Sequence, residues 1–283
     1  MAPNRLFPRI VEIIAIEEYS ESIKGFFFSD DFLAQIAVPG QFGFLWVPGV
    51  DEIPLGFAKI DPSDSTIGFI IQSVGIGTQK LFQMKKGDQV GIRGPFGNGF
   101  DLQLWNGKDV YIVGGGVGIA PLLPLAVHKG SQLSLEIIFG AKDEKSLFIN
   151  KLIGSIELQS SYLNLITEDG SVGEQGTVVD FVQKRIEHFQ EKQALFLAAG
   201  PEKMLLALHT LLLDRLPFAI WEMSLCDRYI KCGFGICGSC SLDDELGLRL
   251  CVEGPVLGRD ILSQLASFGY YGRDASGSKK YFE

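Results

Sequence analysis

The stretch Lys231 to Leu242, KCGFGICGSCSL, carries three of the chain's five cysteines within nine residues. Cys232, Cys237 and Cys240 are spaced C-x4-C-x2-C, and Cys251 follows after ten further residues. The first three match the plant-type spacing for a 2Fe-2S cluster, which takes four thiolates, although the run to the fourth is much shorter here. Glycines at 233, 235 and 238 let such a loop wrap, so that backbone N–H groups point at the sulfurs and stabilise their negative charge. Structural zinc also takes four cysteines, but its ribbons pair two C-x2-C knuckles and only one is present here. The cluster is therefore the expectation and zinc the competing reading. Cys226 stands six residues before Cys232 in a segment expected to be helical. It reads as a small buried hydrophobe, with an extra ligand as the other possibility.

Such a loop needs a scaffold. A length of 283 residues suggests two domains with an appendage, and a core large enough to do without disulfide staples. A net charge of −9 excludes an electrostatic nucleic-acid footprint. The N-terminus offers no secretory h-region, because Glu12 interrupts its short apolar stretch. Tyr111 to Val127 is uncharged but holds four glycines and two prolines. It reads as a buried strand, turn and helix rather than a membrane span. The expected location is the cytoplasm, where clustered cysteines bind metal or do redox chemistry.

Residues 1–104 read as short alternating strands broken by turn residues: IVEIIAI, GFFFSD, GQFGFLWV, TIGFIIQSV and QVGIRG. That grammar predicts an antiparallel barrel. In residues 105–220 it changes to DVYIVGG, LSLEIIFGA, LNLITED and ALFLAAG, alternating with helix-like APLLPLAVHKG, DEKSLFINKLIG, TVVDFVQKRIEHF and PEKMLLALHTLLLDRL. This predicts a parallel α/β sheet with crossover helices. Residues 221–283 form a third, small cysteine- and glycine-rich region with a C-terminal tail. The fold class is thus an antiparallel barrel, a parallel-sheet nucleotide-binding domain and a small cluster domain.

Two glycine turns follow parallel strands. Gly115, Gly116 and Gly118 lie in VGGGVGIAP, a G-x-G-x-x-P pattern, and Gly200 and Pro201 lie in AAGPEKM. Turns at the carboxyl ends of such strands are where an open sheet binds its ligand, with pyrophosphate favoured at a helix N-terminus. Glu168 and Asp169 follow the third strand; acids there accept ribose hydroxyls and favour NAD over NADP, though a solvated turn is the alternative.

The order of barrel, glycine-turn domain and AGPEKM resembles the ferredoxin–NADP reductase superfamily, whose members hold FAD on the barrel. The matching pieces are PGQF, IPLGF, GIGTQKL and RGPFGNGF. The resemblance implies FAD contacts at Ile53, Pro54, Leu55 and Gly56. It also implies them at Ile70, Ile71 and Gln72 of the next strand, and at Gly77 and Thr78 of a pyrophosphate loop. The family's flavin motif carries an arginine and a hydroxyl, which Ile53-Pro54-Leu55-Gly56 lacks. Loss of that phosphate pairing either weakens FAD binding or shifts the work to Lys59 or Arg93.

MSLCDRYIKCGFGICGSC, LRLCVEGPVL and DGSVGEQGTVVDF are similar to motifs of the electron-transfer subunit of the two-subunit, NAD-linked dihydroorotate dehydrogenase. That family has glutamate where Cys226 stands. The run from Phe268 has no counterpart in it. The resemblance implies an electron relay of pyrimidine biosynthesis, linking NAD(H), FAD and a 2Fe-2S cluster to a catalytic subunit. The partner would be an FMN-containing barrel in a heterotetramer of two of each, with neither nucleic acid nor membrane involved. A hydrogenase-type diaphorase subunit and a non-catalytic nucleotide-binding regulatory subunit are the alternatives. No catalytic triad is evident, and His128, His188 and His209 read as scattered surface residues.

Overall fold

The computed structural model describes residues 5–127, 133–148 and 163–282. His128 and the second half of the helix expected over DEKSLFINKLIG lie outside them, and the first half holds only a 3-10 helix, Glu144–Ser146.

The first region is a seven-stranded antiparallel sheet of order β4-β3-β7-β1-β2-β6-β5. Its members are β1 (Arg9–Glu18), β2 (Ile23–Ser29), β3 (Phe42–Val47), β4 (Asp51–Gly56), β5 (Lys59–Asp61), β6 (Thr66–Gln72) and β7 (Gln89–Phe96). Aromatic and β-branched side chains dominate because they pack well on a pleated, half-buried surface. Ile13, Phe26, Phe28, Leu45, Phe69 and Ile92 are buried together in the interior. Asp30 caps the helix Asp31–Ile36 by accepting from Leu33 N–H and also pairs with Arg9 at 2.9 Å.

The second sheet has the order β11-β10-β9-β8-β12-β13-β14. Its strands β8 (Asp109–Gly115), β9 (Ser134–Ala141), β10 (Leu163–Thr167), β11 (Glu174–Gln175), β12 (Ala194–Ala199) and β13 (Ile220–Ser224) pair in parallel. Every residue of β8 is buried, as a strand covered on both faces requires. Strand order reverses between β8 and β12, and a crevice at their carboxyl ends is the natural ligand position.

Three details differ from the sequence expectation. β13 crosses residue 220, and β14 (Val256–Gly258), supplied by the third region, pairs with it antiparallel. The segment after β8 is a 3-10 helix, Gly116–Leu122, followed by a short α-helix, Leu123–Ala126. Pro121 and Pro124 each remove an N–H donor, which shortens the regular helix. Finally, His209 is buried: its Nδ1 accepts from Trp221 Nε1 at 3.0 Å, and Ser263 Oγ lies 3.3 Å from its Nε2. Burial first, then the Arg259 charge, lowers its pKa, so it is a neutral core residue.

Packing joins the three regions. Phe42, Phe44 and Phe96 of the barrel share one core with Phe196 and Leu205 of the second region and Leu250 and Cys251 of the third. The C-terminal tail forms a hairpin of β15 (Tyr271–Arg273) and β16 (Lys279–Tyr281). Arg273 holds it to Asp243 at 2.8 Å. Among the described residues, no helix is long and apolar enough to cross a membrane.

Candidate functional site

The cysteine loop wraps as its glycines suggest. Gly233, Gly235 and Gly238 all have positive φ, at 86°, 84° and 72°, a region that other residues rarely adopt. Gly233 also permits close approach: a Cβ there would stand 2.6 Å from the Phe44 ring. The loop therefore lies directly on the barrel.

Its thiols stand in two pairs. Burial pushes the Cys232 thiol up, but backbone N–H groups of Cys237, Phe234 and Ile236, together with the Cys237 thiol, outweigh it and bring the pKa down to about 6. In the second pair the Cys251 thiol donates to Cys240, and Cys251 N–H lies 3.4 Å from Cys240 Sγ. Those bonds bring Cys240 down to about 7 against the effect of burial, while Cys251, the donor, is pushed up. Among the described residues, no three His, Cys, Asp or Glu side chains converge on a single ion position. Two thiol pairs held by backbone donors fit a two-iron cluster, which takes four thiolates, better than a single tetrahedral ion.

Arg93 fastens this loop to the barrel, and Arg228 fastens the chain that leads into it to the second region. Arg93 on β7 is buried and makes a bidentate pair with Glu52 on β4, with Nε to Oε1 at 2.6 Å and Nη2 to Oε2 at 2.7 Å. Its Nη1 donates to the Cys232 carbonyl at 2.8 Å and Nη2 to that of Lys231 at 3.4 Å. The guanidinium lies over the rings of Phe44 and Phe96, 4.0 and 5.1 Å from their centroids. From the other side, Arg228 Nε donates to Glu202 at 2.9 Å and Nη1 to Ser267 Oγ at 3.1 Å, all buried. Glu202 opens the helix Glu202–Arg215 that follows the second glycine turn.

These contacts bear on one expectation. Arg93 is committed to Glu52 and the cysteine loop, which turns its guanidinium away from a phosphate role, whereas Lys59 makes only long, exposed pairs with Asp61 and Asp64 at 3.5 and 3.6 Å. Ile53, standing where the family carries arginine, packs instead under the glycine loop: a Cβ on Gly77 would lie 3.0 Å from Ile53 Cδ1. Thr78 Oγ1 accepts from Val74 and Gly75 N–H at 3.0 Å each and shapes that loop. The N–H groups opening the helix Ile76–Leu81 are what the loop can offer an anion. On β6, the Ile71 side chain points into the barrel core, whereas Ile70 packs with the second region and Gln72 is exposed.

The glycine turns meet one another. A Cβ on Gly118 would stand 2.5 Å from Gly200 Cα, and one on Gly115 would stand 2.5 Å from Met204 Sδ and 3.0 Å from Pro201 Cδ. Gly116 has φ 54°, and a Cβ there would meet nothing within 4 Å, so it faces open space. Beside them, Pro54, Leu55 and Gly56 line a cleft with Pro121, Cys226 and Arg228. Cys226 therefore belongs to neither a helix nor the core. It follows β13 in irregular chain and opens onto the cleft, with its side chain exposed. No local pattern signals this, because β13 ends only two residues earlier. The acids of the third loop separate: Glu168 is exposed, whereas Asp169 accepts from Ser171 N–H at 2.9 Å and Ser171 Oγ at 2.6 Å.

A barrel, a sheet with its switch point facing that barrel, and a cysteine loop seated between them define a ferredoxin-reductase-like protein with a C-terminal cluster segment. Solved structures agree on the fold. The NADH-dependent reduced ferredoxin-NADP oxidoreductase structure superposes with TM-score 0.73 and 25% identity over 95% of each chain. A ferredoxin NADP+ reductase from Neisseria gonorrhoeae, with bound FAD and NADP, gives 0.61 and 16% over 74% of this chain and 92% of that one. Residues 227–262 match the family model of the iron-sulfur cluster binding domain of dihydroorotate dehydrogenase B. The probable dihydroorotate dehydrogenase B (NAD(+)), electron transfer subunit, of Methanothermobacter thermautotrophicus is 39% identical over 96% of this chain and 97% of its own. Its Pyrococcus furiosus counterpart is 36% identical over 96% and 98%. The chain belongs to the family of these electron-transfer subunits.

Proposed function

We propose that the chain is the electron-transfer subunit of an NAD-linked dihydroorotate dehydrogenase in pyrimidine biosynthesis, working in the cytoplasm with a catalytic subunit that carries FMN, two copies of each. FAD bound at the barrel would exchange a hydride with NAD(H) and single electrons with a 2Fe-2S cluster. Cys232 and Cys237 would hold one side of that cluster and Cys240 and Cys251 the other, since these are the pairs the loop forms. The N–H groups of Phe234 and Ile236 stabilise negative charge on Cys232.

On the barrel, β4 from Ile53 to Gly56 and β6 from Ile70 to Gln72 would flank the flavin. Gly77 and Thr78 keep the N-terminus of the helix Ile76–Leu81 open toward its phosphates. For the nicotinamide nucleotide, Gly116 offers bare backbone, and Gly115, Gly118, Gly200 and Pro201 hold the two turns together around it. Glu168 is free to accept ribose hydroxyls, while Asp169 fixes the turn that presents it.

The observation that carries this reading is the pairing of four thiols on a loop packed against the barrel. An anaerobic absorption spectrum of the purified complex, taken before and after NADH, tests it. Flavin and iron–sulfur bands that both bleach are expected. A cluster without flavin in the presence of the partner would remove the FAD assignment, and bands that NADH leaves unchanged would remove the relay.

A further inference from the structure

The Arg93 bridge spans the two cofactor regions of the proposed relay, and its design is specific. Glu52 immediately precedes the expected flavin residues Ile53 to Gly56, and Cys232 is the first cluster cysteine. Between them, one guanidinium reaches across β3, in register with Phe44, to join β4 to carbonyls 138 and 139 residues downstream. Four of its hydrogen bonds are made, and aromatic rings cover it. A planar fork of five donors suits this task, whereas a lysine ammonium cannot be bidentate to a carboxylate and reach a carbonyl at fixed angles.

We propose that Arg93 is a positioning residue for electron transfer: by locking the Lys231 and Cys232 carbonyls to Glu52, it fixes the cysteine loop relative to the flavin strand. The proposal rests on the relay reading above. Arg93 touches no reacting atom. It acts through the loop, and a loop that drifts from the flavin strand lengthens the path an electron must cross, which slows the transfer. The Arg228 anchor, four residues before Cys232, sits on the opposite side, so loss of Arg93 loosens the loop from the barrel while the chain leading into it stays tied to the second region.

The test uses the complete, cofactor-loaded complex with Arg93→Gln, Arg93→Lys and Glu52→Gln. Stopped-flow absorption follows flavin reduction by NADH and cluster reduction as separate phases. Electron paramagnetic resonance reports the cluster, and amide exchange reports residues 231–238. In Arg93→Gln the flavin phase is expected to stay at the wild-type rate, while the cluster phase slows severalfold. The cluster signal broadens, and amides 231–238 lose protection. Arg93→Lys, which keeps the charge and one bond, recovers part of the cluster phase. Glu52→Gln slows it to an intermediate degree and keeps the proposal testable if Arg93→Gln does not fold. Variants that transfer electrons to the cluster at the wild-type rate with an unchanged signal overturn the proposal. A purely stabilising role would lower the melting temperature and leave the ratio of the two phases unaltered, which also overturns it. Failure of wild type itself to bleach both bands would instead overturn the relay reading.

Discussion

The cysteine loop and the paired glycine turns both depend on glycine, for opposite reasons. In the loop, Gly233, Gly235 and Gly238 adopt positive φ so that side chains gather in pairs, Cys232 with Cys237 and Cys240 with the later Cys251. In the turns, Gly115, Gly118 and Gly200 let two backbones touch, and only Gly116 is left facing outward. In the proposed relay one region would hold its ligand with side chains at fixed spacing. The other would meet its ligand with bare backbone. The first should be intolerant of a single ligand change, and the second should fail by losing its packing before it loses its chemistry.

The sharpest way to break this contrast is Cys237→Ser. Near-complete loss of cluster iron is expected, with NADH-to-flavin reduction retained; unchanged iron content would show that the loop does not ligate through its thiols. Next comes Gly118→Ala, whose methyl would meet Gly200 backbone at 2.5 Å. Overpacking of this kind costs about 2–3 kcal/mol, read as a lowered unfolding midpoint. Gly116→Ala meets no neighbour but sits at φ 54°, so it should cost only about 1 kcal/mol while raising KM for NADH. Equal destabilisation by the two alanines would erase the distinction between packed and open glycines. Glu168→Arg should move the NADPH/NADH preference by roughly tenfold, about one charge-assisted hydrogen bond, measured as a ratio of kcat/KM. An unaltered ratio would mean that this loop does not touch the ribose. The smallest effect belongs to Lys59→Ala, whose exposed pairs with Asp61 and Asp64 are worth less than about 0.5 kcal/mol. Retained FAD in that variant would agree with a phosphate loop that works through backbone N–H groups.

Local pattern was legible and long-range partnership was not. GFFFSD and TIGFIIQSV identify strands by their aromatic and β-branched side chains, although β6 proves buried on both faces, and the apolar run after Asp109 in DVYIVGG identifies a strand covered on both faces. The cysteine spacing specifies its chemistry within twenty residues. Arg93 shows the limit: its bonds to Glu52 and Cys232 cross 41 and 139 residues, and nothing near it in the chain distinguishes it from a phosphate ligand. His209 is read as surface because a helix with apolar residues all round does not reveal which polar one faces inward, and Trp221, its partner, lies on a strand. Cys226 is missed because its position depends on where β13 ends against β14.

That last strand has a temporal meaning as well. β14 begins five residues after Cys251, and it completes the edge of a sheet whose other strands end by Ser224. On a chain made from its N-terminus, the nucleotide-binding sheet stays one strand short until all four cysteines have left the ribosome. Sheet completion and readiness to receive iron are thereby placed in the same interval of synthesis, and the cluster segment is not a cassette that can be removed without opening the sheet beside it.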